Sequence, residues 1–373
     1  MFCCSGETKG QRLKSAQFER KEMEKSGLDI NRPHALQRYQ WEVFLFVLFL
    51  AVNVVNSFLS PYYLSLDTFL STPMNFLDKA FLVLPMTMII ILGNIDVSVG
   101  SIVALSSVLM AVSYNAGVPM PLAMVLALLV STTCGFINGF LQIKFRELSA
   151  TIITLSTMTV YRGIAYVILE DRSAGKFPSW FSFLAWGYIG KVPFIFIVFI
   201  IAAIIFSIIL HKTRFGRMVY AVGNNRTASE YSGIRTDRVI LGVSTLAGLM
   251  AGFTSLFLTS RMGSTRPNVA LNYELDAIAM TVLGGISTSG GKGRIGGPLI
   301  AIFLIGFLNY GLGLRNVSAQ VILIILGILL ILSVLVQNFT DRANRSPRKS
   351  ATLAHRSGVG DGSDIHKNSA QGG

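Results

Sequence analysis

The sequence predicts an all-α polytopic membrane protein of about ten transmembrane helices, several of them broken at glycines. Three observations carry that class. Hydrophobic residues make up 52% of the chain and charged ones only 14%. The apolar residues are gathered into blocks such as PFIFIVFIIAAIIFSIIL (193–210) and VILIILGILLILSVLV (321–336), each long enough as a helix to cross a hydrocarbon layer of about 30 Å. The basic residues behind the formal charge of +13 lie in the connections and tails between blocks, a pattern of membrane topology rather than of nucleic-acid binding. Helices pair their own backbone groups, as lipid demands, and the short alternating pattern of barrel strands is missing.

Taken in order, the spans are predicted at roughly 42–59, 75–92, 95–113, 119–142, 148–169, 192–210, 239–260, 274–289, 296–314 and 319–336. The eighth and ninth also read as a re-entrant pair. Residues 1–40 are polar, without the short apolar core and cleavage site of a removable signal peptide, and 339–373 have the composition of a disordered tail. An even count puts both termini on one side. With the N-terminus inside, the inner segments hold Lys144, Arg146, Lys212, Arg214, Arg217, Arg226, Arg235, Arg238, Lys292 and Arg294 besides both tails. Both termini are therefore expected to be cytoplasmic. The outer connection around 177–190, with Trp180 and Trp186, suits the aromatic belt of a membrane interface.

Catalytic sets are missing. The four histidines, His34, His211, His355 and His366, all fall outside the spans, and Cys3, Cys4 and Cys134 offer neither a zinc spacing nor a disulfide framework. No metal site is expected. GGISTSGGKGR (284–294) imitates a phosphate-binding loop, yet Ile286 and Gly293 occupy positions where that pattern needs Gly and Ser/Thr. Its Gly284 and Gly285 fit close approach of two helices instead. An enzyme is not expected, nor a cofactor held by this chain.

The polar residues inside apolar runs are the candidates for function. GNIDVSVGS (93–101) sets Asn94, Asp96 and Ser98 between two spans, and it reads either as a tight turn or as a broken helix lining a path or gate. Asn138, between Gly135 and Gly139, can hydrogen-bond across helices or face the same path. Arg162, in VYRGIAY, needs a carboxylate or carbonyl partner, an ion pair with Asp96 being one option. Asp78 with Lys79, and Glu274 with Asp276, fall near outer ends and read as solvated. Gly100 calls for close backbone approach, and Gly248 and Gly252, four residues apart, share one helical face for packing.

The loop HKTRFGRMVYAVGNNRTASEYSGIRTDR (211–238) is longer than a helix connection requires. Asn225 or Thr227 can cap a helix, Thr227 with Glu230 has the spacing of a capping box, and Gly233 suits the position past a helix end. A cytoplasmic helix of about two turns is predicted; a plain solvated loop is the other reading. With Arg226, Glu230 and Arg235 it would offer a charged surface to a soluble partner.

Five motifs in order resemble one family: GNIDVSVGS (93–101), GFINGFL (135–141), TIITLSTMTVYRGIAYV (151–167), TRFGRMVYAVGNNRTASEYSGI (213–234) and YELDAIAMTVLGGISTSGGKGRIGGPLIA (273–301). The chain is similar over about residues 40–338 to the inner-membrane permeases of bacterial ABC sugar importers of the ribose, rhamnose and autoinducer-2 type. It departs from them at Asn94 and Ser156, where the family usually has Gly, at Val97, and at Pro298, more often Thr. The resemblance implies that 41–338 is a permease domain moving a monosaccharide or sugar-like molecule across the inner membrane. An external binding protein would feed it, a second permease subunit, identical or sister, would complete the path, and separate cytoplasmic ATPases holding ATP and magnesium would drive it. From the cost of polar groups in a span, path or gate roles are expected for Asn94, Asp96, Ser98, Asn138 and Arg162. ATPase coupling would fall to Gly216, Arg217, Asn225, Arg226, Thr227, Glu230, Ser232 and Gly233. An ion-coupled secondary transporter of a small polar solute is the alternative; it would not need the patterned loop at 211–238.

Overall fold

The computed structural model describes residues 40–318, apart from 60–62 and 64, and scattered positions between 320 and 335. The N-terminal segment, the tail and part of the expected tenth span lie outside the described residues. Among the described residues up to Leu314 the α-helices are, in order, α1 (Gln40–Leu59), α2 (Leu66–Ser71), α3 (Leu77–Ile91), α4 (Val99–Asn115), α5 (Met120–Lys144), α6 (Ala150–Leu169), α7 (Phe183–Trp186), α8 (Phe194–Lys212), α9 (Arg214–Asn224), α10 (Arg226–Tyr231), α11 (Thr236–Met262), α12 (Tyr273–Leu283) and α13 (Gly296–Leu314).

Six of these, α1, α5, α6, α8, α11 and α13, are long and apolar enough to cross a membrane. A seventh is added if α2, the 3-10 turn Thr72–Asn75 and α3, bent by 63°, form one span. The sequence led us to expect about ten. At 1.5 Å per residue α4 rises about 26 Å and α12 only about 16 Å. The eighth expected span, 274–289, stops as α12 at Leu283, where Gly284 meets the backbone of Pro298 and Gly285 turns left-handed at φ +87°. The Trp41 indole donates to the Leu283 carbonyl at 2.9 Å, which fastens the start of α1 to this turn.

α3 is buried on every side, with Lys79 its one residue not fully enclosed. A helix apolar all round belongs in a core. Phe81 stacks on Phe257 of α11 at 5.0 Å and meets Phe199 of α8 edge-on at 5.5 Å. α11 is the other central element, packed against α3, α4 and α5. Its Gly248 lies on the Ser131 carbonyl and the Gly135 backbone of α5, and Gly252 on the Ser131 side chain, so any larger residue would overlap α5. Gly100 of α4 abuts the Glu274 carboxylate and the Ala270 carbonyl in the same way.

The connection from α6 to α8 is anchored. Ala174–Gly175 pairs antiparallel with Ser264–Thr265, just past α11. Ser260 donates to the Phe181 carbonyl at 2.7 Å, while Trp180 and Trp186 remain about half exposed.

Candidate functional site

α3 ends because Gly93 takes φ +79°, and the amides of Gly93 and Asn94 return to the carbonyls of Ile90 and Ile89 at 2.9 and 3.1 Å. Five residues, 94–98, then run without helical pairing before α4 begins at Val99. Their polar groups are satisfied by neighbouring helices. Asp96 Oδ1 accepts the Ser98 amide at 2.8 Å and the Ser98 hydroxyl at 2.6 Å. Asn138 of α5 donates to Ser98 Oγ at 2.6 Å. Tyr161 of α6 directs its hydroxyl at Asn138 Oδ1 and the Cys134 carbonyl, both at 3.1 Å. Thr154 of α6 reaches the Ile95 carbonyl and the Val97 amide at 3.4 Å.

Of the five residues expected at a path or gate, three therefore form one buried chain, Asp96–Ser98–Asn138, each member bonded to the next. Asn94 lies beside it, 3.5 Å from Gln142, and lines a cavity of about 290 Å³ together with Arg146, Thr151, Arg226 and Thr288. Arg162 is not part of the cluster. Its guanidinium donates to the carbonyls of Pro267 and Val269 at 2.8 and 2.7 Å, which excludes the ion pair with Asp96 that the sequence left open. Tyr161 and Thr154 escaped the sequence reading because hydroxyls in an apolar helix usually bond their own backbone.

A second polar cluster occupies the opposite end of α3. Asp78 is fully buried, ion-paired to Arg261 of α11 at 2.8 Å and accepting the Tyr273 hydroxyl at 3.2 Å. Lys79 pairs with Asp276 at 2.5 Å, both largely buried. The expectation that these carboxylates are solvated is thus wrong for Asp78 and Asp276, and Glu274 Oε2 is likewise buried, against Gly100. The signal was present: a carboxylate inside NFLDKAFLVLP needs a cation, and Arg261 closes a long apolar helix.

The 211–238 loop folds into two helices rather than one. Thr213 caps α9 through the Gly216 amide at 3.2 Å, and Gly216 packs on the Leu210 carbonyl. Asn225, not Thr227, caps α10, accepting the Ala228 amide at 2.9 Å. Gly233 takes φ +81° just past its end, a conformation glycine adopts without penalty. Glu230 does not close a capping box. It accepts the Thr236 hydroxyl at 2.7 Å and pairs with Arg226 at 3.3 Å, and Arg146 bridges to Asp237 at 2.5 Å. The Thr236 hydrogen bond, with Arg226 and Arg146 beside it, holds the Glu230 carboxyl below the usual carboxylate range. Arg217 and Ser232 are exposed.

The first of these helices, α9, also reaches the break. Gly223 of α9 sits directly on the Ile91 carbonyl, where a side chain would overlap it. The Gly291 amide donates to that same carbonyl at 2.8 Å, and the Tyr220 hydroxyl donates to the Gly293 carbonyl at 2.8 Å.

Residues 74–334 match the family described as branched-chain amino acid transport system / permease component. The chain is 40% identical over 295 residues, 78% of its own length and 90% of the other's, to the ribose import permease protein RbsC of Bacillus subtilis (strain 168). It is 34% identical over 303 residues, 80% of its length and 92% of the other's, to the autoinducer 2 import system permease protein LsrD of Escherichia coli (strain K12). No solved structure matches the chain. With most of each relative's length aligned and several apolar helices in the fold, the chain belongs to the branched-chain amino acid transport system / permease component family, as a multi-pass ABC-importer permease subunit and not an enzyme.

Proposed function

We propose that the chain carries a monosaccharide or sugar-like small molecule across a bacterial inner membrane, with about ten transmembrane helices and both termini cytoplasmic. A second permease subunit completes the path, an extracytoplasmic binding protein delivers the substrate, and cytoplasmic ATPases bearing ATP and magnesium grip α9 and α10. The named relatives, a ribose and an autoinducer-2 permease, support the substrate class. One observation carries the coupling: Gly223, one residue before the end of the first loop helix, rests on the Ile91 carbonyl at the threshold of the broken segment. A displacement of the loop acts on residues 92–98, and through Ser98 and Asn138 on α5. The Asp96–Ser98–Asn138 chain serves as the gate and Asn94 as part of its cytoplasmic mouth. Arg162 shapes the far end by holding the 267–269 backbone.

The test uses vesicles reconstituted with the permease, its ATPase and its binding protein. Asp96→Ala is expected to lower uptake at least tenfold while ATPase binding is retained. Unchanged uptake would reduce the broken segment to a turn. Single cysteines at Ser232 and Ser173, in a cysteine-free background, should react with an impermeant reagent from inside and from outside respectively. Outside labelling at position 232 would overturn the orientation.

A further inference from the structure

Tyr231, the last residue of α10, is 88% exposed. No other side chain of α10 is aromatic or aliphatic beyond the methyl of Ala228. The next two residues, Ser232 and Gly233, border a cleft of about 370 Å³ between α9 and α11, walled by Phe215, Met218, Ile234 and Val239 and edged by Arg235 and Arg238. The unpaired charge around this cleft is positive. Glu230 and Asp237 are the only carboxylates between residues 211 and 238, and both are engaged by Arg226 and Arg146. Arg214, Arg217, Arg235 and Arg238 are exposed and, among the described residues, none of the four makes an ion pair.

From these features we infer that Tyr231 and the adjoining cleft form the docking anchor for an acidic surface of the cytoplasmic ATPase. The ring enters an apolar socket on the partner, a partner side chain fills the Phe215–Val239 cleft, and carboxylates on the partner's rim meet the four arginines. The inference rests on the coupling role proposed for α9 and α10 and adds the chemistry of the contact. An exposed aromatic ringed by charge is the composition of an interface hot spot: the ring supplies apolar area at low entropic cost, and the charged rim excludes water. A membrane surface is the poorer occupant, because an interfacial helix presents a continuous apolar face and α10 surrounds one ring with Arg226, Thr227, Ser229 and Glu230. The internal pairing also changes the meaning of Glu230. It neutralises Arg226 and leaves docking to the unpaired arginines, so it tunes the surface without touching the partner.

A photoreactive phenylalanine analogue is placed at Tyr231 or, separately, at Thr227 in the full-length permease, in vesicles containing anionic lipid, with the ATPase of the same importer added. Crosslinking from position 231 into an acidic segment of the ATPase is expected. Alongside it, Tyr231→Ala should weaken ATPase binding at least tenfold, and Arg235→Glu with Arg238→Glu should weaken binding and flatten its salt dependence. Crosslinks to the ATPase from 227 but not from 231 overturn the anchor and leave the coupling role of the loop intact. Crosslinks from 231 to lipid alone make this a membrane-facing surface. Failure at both positions, with ATPase still bound, overturns the coupling role itself.

Discussion

Replacing Ser98 by Ala is expected to destabilise the protein more than replacing Asn138 by Leu, although it removes a single oxygen. The hydroxyl of Ser98 has two bonds in the buried chain: it donates to Asp96 at 2.6 Å and accepts from Asn138 at 2.6 Å. Its loss removes a buried hydrogen bond of roughly 0.5–1.5 kcal/mol and strands the buried Asn138 amide at a further cost of roughly 1–3 kcal/mol. We expect about 3 kcal/mol in total. In Asn138→Leu no group is stranded. Ser98 still donates to Asp96, and Tyr161 still reaches the Cys134 carbonyl at 3.1 Å. One neutral bond is lost, about 0.5–1.5 kcal/mol, and interhelical bonds in membranes average only about 0.6 kcal/mol. The double variant recovers part of the Ser98→Ala loss, since the amide it would strand is gone. Reversible unfolding in mixed micelles, followed by near-ultraviolet circular dichroism, gives all three values. A larger loss for Asn138→Leu, or strict additivity in the double variant, would refute the coupled chain.

Gly248→Ala should cost about 1–3 kcal/mol, the range for overpacking a tight contact, because a methyl there overlaps the Ser131 carbonyl of α5; differential scanning fluorimetry in detergent reads it. Arg261→Met should cost about 3–5 kcal/mol by leaving Asp78 buried and unpaired, whereas the double replacement with Asp78→Leu should fall closer to wild type in the same assay. Because Glu230 has its carboxyl held low, the contribution of its bond to Thr236 is present above the unfolded carboxylate value and is lost as pH falls through the lowered native one. Thr236→Val moves that loss to higher pH, measurable as earlier hydrogen exchange of the Ala228 amide on acidification.

Long apolar runs were legible in the sequence because burial in lipid needs no partner to be named. α8 begins at Phe194 and α11 ends at Met262, within two residues of the positions read from hydropathy alone. Short elements were less so. α12 continues an apolar pattern through Val282 and Leu283, and it is the left-handed Gly285 together with Pro298 packed on Gly284 that stops it, a contact invisible to periodicity. In the loop, Asn225 and Thr227 are both competent caps, and local chemistry could not rank them. Glu230 then went to Thr236 and Arg226 rather than to a capping box because α11 brings the threonine within reach. Partners far apart in the chain were not legible at all. Asp78 and Arg261 stand 183 residues apart, and a single sequence says that each needs a counter-charge without saying which.

α3 and α11 run in opposite directions, and each reaches from the Asp78 cluster to the end of the fold where α9 and α10 lie. At one end Arg261 of α11 holds Asp78 of α3; at the other, Thr236 of α11 holds Glu230 of α10 while Gly223 of α9 presses on Ile91 of α3. Between those ends α3 is enclosed by α8, α11 and α12, and close-packed cores shift between discrete arrangements more readily than they bend. A force applied at the loop therefore meets a stiff element at Ile91 and a soft one immediately after it. Residues 94–98 have no helical ladder to resist, and their side-chain bonds through Ser98, Thr154 and Asn138 each run to a different partner. Deformation concentrates in that segment. On the coupling proposed above, its conformation decides whether Asn138 of α5 stays bound to Ser98, and we propose those few hydrogen bonds as the place where an applied force becomes an open or a closed path.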